Sequence, residues 1–244
     1  MSSLCIEHAV LLENGGARWA ARARWQASAV WRAMEHGEPL AACASLLEQA
    51  PRGRLRYFDR ATVLLGFPHV QYAMLPWQDG LFSQADWRGF ARATVSQQTG
   101  LDPLAWQVQV AEAGFGQARL AVASPLELLG DLRALFNLKG LSLAACLPLL
   151  THTLAHYRPQ LPDECVLAVP ENDALGCLYL QQGQVSQVCL MQTAAEANLR
   201  DSLDAMQLLM EQPDTRTFVA TPKPVSPPAH WLGLPHPWLL DPAP

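Results

Sequence analysis

"VLLENGGARWAARARW", Val10 to Trp25, sets how the rest of the chain is read. A hydrophobic run reaches Glu13, turns at Asn14-Gly15-Gly16 and resumes with alternating residues. An Asn-Gly corner supplies the positive φ that a tight turn requires, so the stretch predicts a β-hairpin at the start of the chain. Many nucleotide-binding domains also open with a strand, an acidic residue and a glycine turn. The corner is therefore a candidate phosphate turn. Arg18, Arg22 and Arg24 alternate along the second strand and read as a solvated face.

With 244 residues the chain has room for one large domain or two small ones around a substantial core. Only 16% of it is charged, against about 25% in a typical soluble protein. That depletion predicts extensive burial and a surface that meets a partner. A net charge of -5 with two lysines, fifteen arginines and no basic cluster argues against a nucleic-acid partner. No apolar run approaches the ~20 residues that span a bilayer, and no basic region precedes the first apolar stretch as in a signal peptide. The six scattered cysteines form no C-x-x-C pair and read as buried thiols in a reducing compartment. A cytoplasmic location is expected.

Beyond the hairpin, Leu40, Cys43, Leu46 and Leu47 predict a helix around Pro39 to Ala50. "ATVLLGF" and "HVQYAMLPW" read as strands. Ser83 and Asp86 form a capping box for a helix with Trp87, Phe90, Ala91 and Thr94 on one face, ending at Gly100. "WQVQV" and "ARLAVA" are strands around an "AGFGQ" turn, and "SPLE" at Ser124 reads as a second capping box, opening a helix to Gly140. Strand "LSLAAC", a short helix after Pro148, strand "CVLAV" and a hairpin turning at "QQGQ" follow. A last helix, about Ala194 to Glu211, carries Leu199, Leu203, Met206 and Met210 on one stripe. Strand "TFVA" precedes a proline-rich tail from Pro222, with Trp231 and Trp238, expected as irregular coil. The reading is α/β with mixed sheets and two similar halves.

No G-x-S-x-G elbow, Walker A loop or dinucleotide fingerprint is present. His152 and His156 have the spacing of a zinc pair, but Thr153 stands where H-E-x-x-H has its glutamate, so they read as surface or cap histidines. Asp201 and Asp204 read as a solvated helix face. A second acidic turn follows the strand Val166 to Val169, at Glu171-Asn172-Asp173. Two such turns facing across a cleft could enclose phosphates with backbone N–H groups and hold Mg²⁺ through a carboxylate.

The order of elements over roughly residues 8 to 192 resembles the actin-like cytoplasmic proteins of type IV pilus and type II secretion platforms: PilM, the cytoplasmic part of GspL and the MshI type. The resemblance rests on "LLENGGARW", "VLLGFPHVQYAMLPW", "SQADWRGFARATVSQQTG", "WQVQV", "RLAVASPLELLGDLRALFNLKGLSL" and "ECVLAVPENDALGCLYLQQGQV", in that order. It implies an actin-like, duplicated ribonuclease H-like fold with mixed sheets flanked by helices. The implied domains are a first lobe over 1–160 with an inserted subdomain, a reduced second lobe over 161–221, and the tail over 222–244.

The departures define the functional expectation. ATP-binding members look like Asp-x-Gly-Ser at the first turn, where this chain has Glu13-Asn14-Gly15-Gly16. At the second turn they look like Asp-x-Gly-x-x-Thr, where it has Glu171-Asn172-Asp173-Ala174. The roughly fifty residues after Met191 hold no glycine pair of the kind that supports adenosine, so one wall of the nucleotide cleft is expected to be missing. The resemblance therefore implies a non-catalytic scaffold without cofactor or metal, which binds the cytoplasmic segment of an inner-membrane platform protein. A homodimer is compatible with that role. Phe58, Tyr72 and Trp77, near strand ends or turns, are the expected exposed anchors for the partner. The alternatives are a divergent ATP-binding member with Glu13 and Glu171 near Mg²⁺, or a sugar-kinase-like enzyme.

Overall fold

The hairpin forms as read: β1, Ile6–Glu13, pairs with β2, Gly16–Ala23, from Ile6 opposite Ala23 to Glu13 opposite Gly16. Gly15 takes a φ of 81°, which a Cβ would strain. The computed structural model describes residues 4–26, 29–194, 198–211, 215–237 and 239. A third strand, β3 (Trp31–His36), continues the meander; its sequence "WRAMEH" has no clean alternation to announce it. Helix α1 (Pro39–Gln49) starts on the Glu38 carboxylate, which accepts from the N–H groups of Leu40 and Ala41. The chain then crosses to β4 (Arg60–Leu65), parallel to β1.

Between β4 and the last strand of this sheet lies the inserted subdomain. It comprises β5 (Gln71–Leu75), α2 (Gln84–Thr99), β6 (Trp106–Val110) and β7 (Arg119–Pro125), the strands pairing in the order β5-β7-β6. The Ser83–Asp86 capping box is present at the start of α2. Ser124 does not cap a helix. It belongs to β7, opposite Gln107, and α3 (Leu126–Leu138) begins after Pro125 with no side-chain cap. Pro125, which a cap at Ser124 would place in the first helical turn, is the last strand residue instead. β8 (Ser142–Pro148) then completes the sheet β3-β2-β1-β4-β8, and α4 (Leu149–Tyr157) leads into the second lobe.

That lobe repeats the plan with β9 (Cys165–Pro170), β10 (Ala174–Gln181), β11 (Gln184–Gln192), α5 (Leu199–Leu209), β12 (Thr217–Ala220) and β13 (His230–Gly233). Its order, β11-β10-β9-β12-β13, is that of the first sheet: third, second, first, fourth, fifth strand. The tail is therefore not irregular throughout. It supplies β13, parallel to β12. Among the described residues no helix joins β12 to β13. Trp238, residues 195–197 of the expected last helix and residues 240–244 of the tail lie outside the described residues.

Strand alternation divides the core. Val10, Leu12, Ala17 and Trp19 face α1 and α3, where Trp19 stacks on Phe136. Ala9, Leu11 and Ala20 share the opposite core with Leu167 and Val169 of the second lobe. Buried Asp59 pins the start of the sheet, accepting from the N–H groups of Ile6 (2.8 Å) and Gly53 (2.9 Å) beside the Arg52 guanidinium. No helix among the described residues is long and apolar enough to cross a membrane.

Candidate functional site: two acidic turns locked together

Two residues beyond Leu11 on the inter-lobe face stands Glu13; two residues beyond Val169 on the equivalent face stands Glu171. The duplicated topology thus brings both predicted acidic turns to one place, and there they bond to each other. Asn172 Nδ2 donates to Glu13 Oε2 at 3.2 Å, and Asn14 Nδ2 donates to Asp173 Oδ2. Arg18 joins them, its Nε donating to Glu13 Oε2 at 2.9 Å and its Nη2 to Asn172 Oδ1 at 3.1 Å.

Glu171 turns to the first lobe and accepts from the Phe67 N–H at 2.6 Å. Gly66 makes room for it, because a Cβ there would collide with the Glu171 carboxyl. The Asn14 N–H donates to the Phe67 carbonyl at 2.9 Å, so this backbone N–H of the first turn is satisfied within the protein. Gly16 serves the sheet, since a Cβ on it would strike the Glu35 carbonyl of β3. Burial, opposed by the Phe67 N–H and reinforced by the charges of Glu13 and Asp173, pushes the Glu171 carboxyl up to about 8. The site thus favours the uncharged form of this acid.

A cleft of about 200 Å³ lies behind this lock, lined by Glu13, Arg18, Glu171 and Asn172 and by tail residues including Lys223 and His236. The tail lines one side of this cleft. Tyr157 Oη donates to the Leu234 carbonyl at 2.7 Å. His236 is buried against His152 with ring centroids 5.3 Å apart, and burial pulls it down to about 3. His152 is thus a packing partner and only His156 is exposed; among the described residues no group of three or more His, Cys, Asp or Glu could hold a metal.

Sequence reading missed Arg18, taken as part of a solvated face. The signal was available, because a two-residue turn sets Leu11 opposite Arg18 and hence Arg18 diagonal to Glu13. Of the expected anchors, Phe58 is exposed and meets Tyr57 edge-on at 5.5 Å. Trp77 is half-buried against Phe115, 4.7 Å between centroids. Tyr72 is not an exposed anchor: it is partly buried and packs against both inner cores, because β5 docks beside the second lobe.

No protein-family model matches this chain, and no curated protein matches it either. Solved structures do. The cytoplasmic domain of EpsL, an inner-membrane component of the type II secretion system of Vibrio cholerae, aligns with a TM-score of 0.62 at 13% identity, over 95% of this chain and 90% of that one. A Bacteroides thetaiotaomicron protein with an actin-like ATPase fold and unknown function gives 0.60 at 10% identity, over 89% and 82%. A chain of the PilM–PilN type IV pilus biogenesis complex gives 0.59 at 10%, over 88% and 80%. The chain has the actin-like fold. In that actin-like frame the two acidic turns are the hairpin corners that face each other between the lobes.

Proposed function

We propose that this actin-like chain is a non-catalytic scaffold that works on the cytoplasmic side of an inner membrane. It holds the cytoplasmic segment of a type IV pilus or type II secretion platform protein. The observation that carries the reading is the lock between the turns: Asn14, Glu13 and Arg18 spend their polar groups on Asp173 and Asn172. Phosphate oxygens would have to displace those bonds, which hold the buried Glu13 carboxylate together with the exposed Asn14 and Asn172. The likeness to the EpsL cytoplasmic domain and to the PilM–PilN complex supports a platform role. Phe58 and Trp77 present aromatic surface from which a partner segment could be held.

A ligand bound only by the folded state raises the melting temperature by mass action. Millimolar Mg-ATP is therefore expected to leave the melting temperature unchanged, and a rise abolished by Glu13→Ala or Glu171→Gln would overturn the non-catalytic reading. The immobilised chain is expected to retain a pilus or secretion platform protein from detergent-solubilised membranes, identified by mass spectrometry. Phe58→Ala with Trp77→Ala is expected to weaken that capture by ~2 kcal/mol with little change in melting. Capture of no platform protein would defeat the scaffold reading.

A further inference from the structure

β6 is the last strand of the inserted sheet, and its outer edge pairs with no strand among the described residues. The Ala105 carbonyl accepts from Leu126 N–H and the Ala111 N–H donates to the Leu120 carbonyl. The odd-numbered residues of this strand therefore bond to β7, and Trp106, Val108 and Val110 aim their N–H and C=O groups outward. An open edge of this kind is a template for another strand unless it is covered.

α2 runs beside that edge. Its Gln84, Arg88 and Arg92, spaced one turn apart, form with β6 a groove of about 500 Å³. Arg88 and Arg92 are exposed, and neither makes an ion pair or hydrogen bond among the described residues. Glu112, at one end, is the one acidic residue in the lining. A rise of 1.5 Å per helical residue separates the two arginines by about 6 Å along α2, while alternate side chains on one face of a strand are about 6.8 Å apart.

We propose that this groove takes an extended acidic segment of a partner protein, which adds to β6 as a fourth strand and sets two alternate carboxylates on Arg88 and Arg92. Charge decides the occupant. A second copy paired edge to edge through its own β6 would bring two pairs of arginines together. The proposal deepens the scaffold reading only by naming the chemistry of a partner; the inter-lobe cleft plays no part in it.

The test is fluorescence anisotropy with a labelled synthetic peptide of about ten residues, alternating glutamate with threonine and valine, titrated with the full chain. Binding is expected, and on the order of tenfold weaker binding in R88E/R92E, with melting unchanged because both residues are exposed and unpartnered. The same loss is expected when alternate peptide nitrogens are methylated, which removes strand addition and keeps the charge. R88E/R92E is expected to bind a peptide with lysine in place of glutamate. The proposal is overturned by no binding at about 1 mM chain, by equal binding to R88E/R92E or to the methylated peptide, or by a chain dimer that R88E/R92E dissociates. Platform capture without peptide binding removes this docking site alone, whereas ATP binding would count against the non-catalytic reading.

Discussion

Glu171 stands where the face of β9 that meets the first lobe runs out, with the Phe67 N–H as its donor and Glu13 and Asp173 as neighbouring charges. Its folded pKa of about 8 lies above the ordinary 4.5. The folded state thus holds a proton that the unfolded chain releases, and the group's contribution is complete below pH 4.5 and lost as pH rises through 8. Glu171→Gln keeps an oxygen to accept from Phe67 and cannot ionise. We expect the stability of this variant relative to wild type to improve by about 4 kcal/mol between pH 5 and pH 9 in urea titrations, the titration of other groups cancelling in the difference. A difference independent of pH would show that the carboxyl is already charged in the fold.

At the scale of elements, the two serines read as helix caps separate. Ser83 accepts from the Asp86 N–H at 3.1 Å while the Asp86 carboxylate accepts from the Ser83 N–H at 3.0 Å. Ser124 sits within β7 and α3 begins without a side-chain cap. Ser83→Ala is expected to cost ~1 kcal/mol, and Ser124→Ala less than about 0.5 kcal/mol, in urea unfolding midpoints. Equal losses would restore Ser124 as a cap. Both sites carry the serine and acidic residue of a capping box; what differs is Pro125, whose N-terminal neighbour is held extended by pairing with Gln107.

For the whole molecule, the tail is structural. β13 closes the second sheet, His236 packs on His152, and Leu239 joins the core between the lobes. Ending the chain after Thr221 would expose the edge of β12 and open the cleft. A loss of ~10 °C in melting temperature, or of the cooperative transition, is expected by differential scanning calorimetry. An unchanged transition would return the tail to the status of an appendage.

Local chemistry settled the parts of this protein that depend on neighbours in the chain. Asn14-Gly15 made the hairpin, Ser83 and Asp86 made the start of α2, and Leu203 and Met206 made the buried face of α5. The alternation of β1 and β9 placed Glu13 and Glu171 on equivalent faces, so the pair of acidic turns was legible along the chain. Contacts between distant segments were not. That Asn172 bonds Glu13 across 159 positions, that β13 pairs with β12, and that Tyr72 is wedged between two cores all follow from how the lobes meet. A strand such as "WRAMEH" is specified by the edge of β2 rather than by its own pattern. Periodicity along a chain encodes which face is buried, and only the closed tertiary structure decides what it is buried against.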